Sequence, residues 1–243
     1  MLYDMITVAS KDLKEIFVQR GSIRAGITNL LIVLAVIGIL FPMQYGRDWV
    51  RSPLGLITTT WLPIFMSMGL IADAIAGERE RNTLETLLAS RLSDQAILFG
   101  KMLAAIIYGT GITLVGLLVG ALTVNLQFPG AGFYPLNLFF GVLLFSLLAM
   151  LLVTGIGVQV SLHASNVRQA YQKMSFGFIL IWLPLILGPQ FLPESILIQI
   201  ATFLNSLNLT QAALIAVGVL LAVDLFLVWL ANARFKRSRL ILD

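Results

Sequence analysis

The sequence contains no cysteine and only one histidine, His163, among its 243 residues. Without thiols, the chain can form neither disulfides nor thiolate sites for haem or zinc. One histidine without a cluster of carboxylates also argues against a metal site. Charge is scarce as well, because Asp, Glu, Lys and Arg make up only 12 % of the chain, whereas soluble domains have about 25 %. These shortages disfavour both a disulfide-stapled domain and a soluble enzyme.

Apolar residues take the place of the missing charge. They make up 58 % of the chain, and the mean hydropathy is +0.93. A helix needs about 20 apolar residues to cross the hydrocarbon core of a bilayer. The charge-free runs therefore predict an all-α integral membrane protein with six transmembrane helices. The predicted spans are residues 25–45, 54–76, 97–126, 136–162, 174–193 and 210–232.

The distribution of basic residues predicts the orientation of these spans. Lys and Arg are retained on the cytoplasmic side during insertion. With both termini inside, all 16 Lys and Arg residues except Arg47 and Arg51 lie on that side. We therefore expect a multi-pass protein of the cytoplasmic (inner) membrane of a prokaryote. The positive balance reflects topology and attraction to anionic lipid headgroups, and it does not indicate binding to nucleic acid.

Two segments outside the spans have amphipathic patterns. In residues 1–24, Met5, Ala9, Leu13 and Ile16 recur at helical spacing, which predicts a helix lying in the inner membrane interface. Residues 194–209, between the fifth and sixth spans, show a similar pattern and predict one or two short helices at the outer leaflet. The outer loops are too short to hold a domain.

The stretch "GERERNTLETLLASRLSDQAILFGK", from Gly77 to Lys101, concentrates charge between the second and third spans. Asn82 and Glu85 form a plausible capping pair and predict a short helix from Thr83 to Ala89. Ser93, followed by an acidic residue, predicts the start of the long third helix.

The predicted short helix carries Leu84, Leu87 and Leu88 on one side, and four residues of alternating charge precede it. A solvated loop has little reason to expose three leucines to water. The leucines therefore predict a protein partner for this segment.

This stretch resembles the signature of the type-2 ATP-binding-cassette (ABC) transporter permeases. That signature has an acidic-basic pair, Gly-Thr-Leu-Glu, two leucines, a Ser-Pro-Leu-Ser elbow and a Gly-Lys that opens the third span. Asn82 stands where Gly is usual and Arg91 where Pro is usual. Asparagine tolerates the left-handed or capping geometry that glycine supplies, and Arg91 loosens the elbow.

The resemblance implies that the whole chain, 1–243, is one transmembrane domain of an ABC exporter, and that the loop 77–96 holds a coupling helix. Two copies of a separate ATPase subunit would bind ATP and Mg²⁺, and a second permease, identical or paralogous, would complete the path. The residues that the resemblance assigns to coupling are Glu78, Arg79, Glu80, Arg81, Asn82, Thr83, Leu84, Glu85, Leu87 and Leu88.

The chain itself lacks a nucleotide-binding motif. Lys101 follows Gly100, but Met102 stands where a phosphate-binding loop requires Ser or Thr. We therefore expect no enzymatic activity and no cofactor in this chain. Two alternatives remain at this stage: a haem-exporter-like permease of cytochrome maturation and a stand-alone secondary transporter.

Two features within the spans are also notable. Asp224 lies in the middle of the last span, where a charge is costly. It either serves a gate or substrate path or makes a structural hydrogen bond to another span. Gly116 and Gly120 form a small-xxx-small pair in the third span, which predicts close helix packing.

Overall fold

The computed structural model describes residues 1–17, 23–206 and 209–235. Side chains are described for these residues except 17, 23, 53–56, 181–182, 185–186, 200–201, 203–206 and 209–213. The described backbone is helical apart from turns and short connections, and it contains no strand. The prediction of an all-α chain is confirmed. Arg20, the basic residues from Lys236 onward and Leu207 lie outside the described residues.

The described residues form ten α-helices, separated by turns and by short segments of π- and 3₁₀-helix. In order they are α1 (Leu2–Phe17), α2 (Ile23–Ala35), α3 (Phe41–Tyr45), α4 (Pro53–Glu80), α5 (Leu84–Leu88), α6 (Asp94–Gln127), α7 (Leu136–Leu162), α8 (Val167–Phe191), α9 (Glu194–Ser206) and α10 (Leu209–Arg234). A π-helical turn, Val36–Leu40, joins α2 to α3, and a 3₁₀ turn, Gly46–Val50, follows α3.

Five helical stretches are long and apolar enough to cross a membrane, counted over the described residues alone. They are Arg24–Val50, Ile57–Glu80, Asp94–Gln127, Leu136–Leu162 and Leu214–Arg234. Helix α8, which covers the predicted fifth span, is continuous from Val167 to Phe191 and contains Pro184 and Pro189. It is not among the five, so the count of six spans stays a prediction.

Two helices extend beyond the apolar runs that predicted them. Helix α4 continues to Glu80, so the loop before α5 begins at Arg81 and not at Gly77 as expected. Helix α8 begins at Val167, because the Asn166 side chain accepts a hydrogen bond from the Gln169 backbone N–H and caps it. In both places, the polar groups form hydrogen bonds with other helices. In a loop, the same groups would have needed hydrogen bonds with water.

The core lies where α4 packs against α6 and α7. Buried hydroxyl groups link these helices. The Ser161 hydroxyl of α7 donates to the Ala72 carbonyl (3.0 Å) and accepts from the Ala76 N–H (2.9 Å) of α4. The Ser67 hydroxyl donates to the Ala105 carbonyl of α6 (3.2 Å). Such bonds fix the register of helices whose other contacts are mostly apolar.

The Gly116 and Gly120 pair serves packing, as the sequence predicts. A Cβ on Gly116 would lie 2.5 Å from the Ile37 side chain, and one on Gly120 would lie 2.8 Å from Trp49 Nε1. Neither distance is compatible with a side chain, so the two glycines let the segment from α2 to the 3₁₀ turn approach α6 closely.

Helix α1 packs against the beginning of α6. Val8, Ala9 and Ile16 are buried on its inner side, whereas Leu2, Tyr3 and Ile6 are exposed. The amphipathic helix predicted near the N-terminus is therefore present. Its position in the membrane interface stays a prediction, as does the outer-leaflet position of α9.

Candidate functional site

The turn between α4 and α5 depends on Asn82, which has a left-handed backbone with φ of 56°. The Asn82 N–H donates to the Arg79 carbonyl (3.1 Å), and the Thr83 N–H donates to the Glu78 carbonyl (2.8 Å). This is the Schellman pattern that ends a helix with a left-handed residue, usually glycine. Asn82 therefore stops α4, and its predicted role as a cap of α5 is wrong. Thr83 precedes α5 instead, without a side-chain cap.

Replacing Asn82 by valine is expected to lower the free energy of unfolding by about 1–2 kcal/mol, because a β-branched residue is strained in the left-handed region. Asn82→Gly should be neutral. Glu85→Ala should also be neutral, since no capping box exists. Thermal unfolding of the purified protein in detergent measures all three. A larger loss for Glu85→Ala than for Asn82→Val would contradict the assignment.

The leucines of α5 face the interior of this chain and not a partner. Leu84 and Leu88 are 8 % and 3 % exposed, and they join the same buried cluster as Ile75 and Ile97, with Leu87 packed against it. The expectation that these leucines contact a partner protein is therefore wrong for Leu84 and Leu88. The physical reason is proximity, because the core formed by α4 and α6 lies next to the short helix. The exposed residues of α5 are Glu85 and Thr86.

The three charged residues that follow Glu78 have separate partners within the chain. Arg79 donates to the Leu162 carbonyl (3.1 Å) and to the Ala164 carbonyl, at the end of α7. The Glu80 carboxylate accepts the Val167 N–H (3.0 Å) at the start of α8. These contacts satisfy backbone groups that helix ends leave unpaired. The run thus joins the end of α4 to two neighbouring helices.

Arg81 forms two 3.2 Å hydrogen bonds with the Asp73 carboxylate. A Cβ on Gly77 would lie 2.1 Å from Asp73 Oδ1. Glycine at this position therefore makes room for the ion pair along the surface of α4.

Glu78 belongs to a buried ionic cluster that joins three helices. Lys101 Nζ on α6 lies 3.2 Å from Glu78 Oε1 on α4 and 3.4 Å from Asp12 Oδ2 on α1. Only 6 % of the Lys101 and Glu78 side chains and 14 % of the Asp12 side chain are exposed. The Thr83 hydroxyl also donates to the Glu78 carboxylate. Burial raises the pKa of Asp12, and the neighbouring Lys101 opposes that rise.

A groove of about 1060 Å³ lies beside this cluster, between α1, α4, α6 and α8. One face of α4 lines it from Leu62 to Glu78, and Arg81 in the following turn continues this wall. The wall is apolar towards Leu62 and Phe65 and charged towards Glu78 and Arg81. The groove therefore has one charged end and one apolar end.

Asp224 lies in α10, which packs mainly against α7. It is 1 % exposed, and neither carboxylate oxygen has a hydrogen-bond partner within the described part of the chain. The structural hydrogen bond that the sequence offered as one explanation is therefore not present among these residues. Asp224 is also remote in sequence from the α5 segment, and it forms no part of the ionic cluster.

The comparison with known families agrees with this arrangement. The sequence model of the ABC-2 family transporter proteins matches residues 8–231, which is nearly the whole chain. The chain belongs to the ABC-2 transporter family. It is accordingly a multi-pass membrane protein and a permease subunit, and this family implies an ABC ATPase as a partner in general. No curated protein matches the chain significantly.

Sequence reasoning missed two important residues of this ABC-2 permease. Asp12 lies between Val8 and Ile16 on the buried side of α1, and a carboxylate within an apolar stripe is the signal that could have identified it. Lys101 was recognised as part of the Gly-Lys signature, but its partners lie 23 and 89 residues away in sequence. No local pattern indicates such pairs.

Proposed function

We propose that this chain is the membrane subunit of an ABC exporter, in which a separate ATPase drives substrate translocation through contact with α5. The observation that carries the proposal is the construction of the α5 segment. Its outer side is exposed, while its inner side and the preceding charges are attached to α1, α4, α6, α7 and α8. A push on this segment would therefore reach several spans at once.

The exposed coupling face consists of Asn82, Glu85, Thr86 and Ala89. These residues are small or polar, so they are better suited to a reversible contact than to a permanent apolar interface. In this proposal the leucines hold α5 on the permease, and the coupling face contacts the ATPase. The charges at 78–81 act within the permease, where their described partners lie.

The proposed orientation places the α5 end of the helix bundle in the cytoplasm, in agreement with the positive-inside rule. Two ATPase copies would bind ATP and Mg²⁺ there. A second permease, identical or paralogous, would complete the assembly. The groove along α4 supports a translocated molecule with an apolar part, because most of its wall towards Leu62 is apolar.

Thr86→Arg is expected to reduce ATPase association at least about tenfold, because a long charged side chain in the centre of a small interface costs more than about 1.4 kcal/mol. The tagged permease is purified from its own membranes in mild detergent. Bound ATPase is then quantified as Mg²⁺-dependent, vanadate-sensitive ATP hydrolysis. The wild-type protein should carry this activity.

Gln127→Arg is the matched control, since Gln127 is exposed at the opposite end of α6. It should retain full ATPase association. Equal ATPase association by Thr86→Arg and Gln127→Arg would refute the assignment of the coupling face. Absence of any ATPase from the wild-type preparation would refute the proposed function itself.

A further inference from the structure

The Gly100–Lys101 pair at the beginning of α6 does not belong to the coupling face, so its role needs a separate explanation. A Cβ on Gly100 would lie 2.7 Å from Val8 Cβ and 2.9 Å from the Met5 carbonyl oxygen. The glycine therefore allows the backbone of α1 to rest directly on α6. This close approach brings Asp12 within reach of the next residue, Lys101.

Lys101 lies at the centre of a continuous polar chain from α5 to α1. Thr83, immediately before α5, donates through its backbone N–H and its hydroxyl to Glu78. Glu78 pairs with Lys101, and Lys101 pairs with Asp12. Each contact crosses from one structural element to the next.

The burial of Glu78, Lys101 and Asp12 favours joint movement of these three side chains. Separating Lys101 from either carboxylate would leave an uncompensated charge in the protein interior, which is far more costly than breaking an exposed pair. Lys11 also approaches Glu78, but at 3.9 Å and with 56 % of its side chain exposed. Asp12 is therefore the principal polar attachment of α1 to this cluster.

We propose that Lys101 is a positioning residue that transmits displacement of α5 to α1. This inference rests on the proposed function, because the ATPase supplies the displacement. Lys11 and Asp12 of α1 line the charged end of the groove, and Ile16 lies further along its apolar part. Movement of α1 with α5 would thus change the wall of the groove in step with the nucleotide state of the ATPase.

The natural absence of cysteine allows a direct test by spin labelling. Ser10→Cys on α1 and Gln127→Cys at the far end of α6 are both exposed positions, and the labelled protein is diluted with unlabelled copies. The distance between the labels is measured in the complex with its ATPase, with and without vanadate-trapped nucleotide. We expect a shift of about 1–2 Å or more, the usual amplitude of a helix displacement.

Asp12→Ala, made in the labelled protein, removes the principal polar attachment of α1 and leaves its apolar packing against α6 in place. It should leave ATPase binding and nucleotide trapping unchanged and abolish the distance shift, a result that a purely stabilising role would not produce. Asp4→Ala is the matched control, because Asp4 pairs with the N-terminal amine of its own helix. Asp4→Ala and the conservative Lys101→Arg variant should both retain the shift.

A second measurement does not need the ATPase. In the permease alone, Asp12→Ala should broaden the distribution of distances between the labels, and Asp4→Ala should not. A wild-type shift that persists in Asp12→Ala, or the absence of a shift in wild type, would overturn the transmission role. If Asp12→Ala leaves the distribution of label distances unchanged in the permease alone, Asp12 does not attach α1 to the cluster. Absence of a bound ATPase would instead refute the proposed function, and the transmission role with it.

Discussion

Replacing Lys101 by methionine is expected to lower the free energy of unfolding by about 3–5 kcal/mol. The substitution leaves the carboxylates of Glu78 and Asp12 buried without the cation that they share. Methionine has a similar length and fills most of the same space, so the loss reports charge and not packing. Among single changes at the α5 end of the bundle, we expect this one to have the largest effect.

Thermal and denaturant unfolding of the purified permease measure this loss. Lys101→Arg preserves the charge and should cost much less. Arg81→Met is the matched comparison, because the Arg81 pair with Asp73 has side chains that are 49 % and 42 % exposed. It should cost no more than about 1 kcal/mol. Equal losses for Lys101→Met and Arg81→Met would show that the buried cluster has no special importance for stability.

Asp224→Leu is expected to raise the free energy of unfolding by about 2.5–3.5 kcal/mol, the approximate cost of an ionisable side chain in the middle of a span. The Asp224 carboxylate is buried and has no described partner that would offset this cost. A residue that reduces stability without a structural role points to function. We therefore expect the complex that contains Asp224→Leu to hydrolyse less ATP than the wild-type complex, although the variant itself is more stable.

Unfolding in detergent again gives the stability change, and nucleotide-dependent ATP hydrolysis by the assembled complex gives the activity. Val223→Leu is the control, since Val223 is the exposed neighbour of Asp224 on α10. It should change neither quantity. A loss of stability in Asp224→Leu would mean that the carboxylate forms a favourable contact. Increased stability with unchanged ATP hydrolysis would show that Asp224 has no role in the ATP-driven cycle.

The α5 segment shows how far local sequence could predict this site. The short helix was expected at Thr83 to Ala89 and is found at Leu84–Leu88. The Ser93 cap is confirmed by the hydrogen bond that its side chain accepts from the Ala96 N–H (3.2 Å). The Ser93 cap depends on residues three positions apart, so local sequence is sufficient to predict it. The position of α5 was predicted correctly although the predicted Asn82 cap was wrong, because Leu84 and Leu88 hold this helix against the core.

The direction in which α5 faces could not be predicted in the same way. Three leucines on one side indicate that the side must be buried, but they do not indicate against what. The sequence interpretation chose a partner protein, whereas Leu84 and Leu88 pack within the chain. The charged run was similarly assigned to external contacts, although Arg79 and Glu80 bond to the ends of α7 and α8.

The sequence by itself determined the class of the protein. The surplus of apolar residues and the scarcity of charge suffice to predict a helical membrane protein, because they are properties of composition. The resemblance of the stretch from Gly77 to Lys101 to the permease signature pointed to the family, which the match of the ABC-2 family model confirms. Only the tertiary structure decided that Asp12, Glu78 and Lys101 form one cluster and that the buried Asp224 carboxylate has no hydrogen-bond partner among the described residues. Those contacts join distant parts of the chain, and they exist only after the helices have packed.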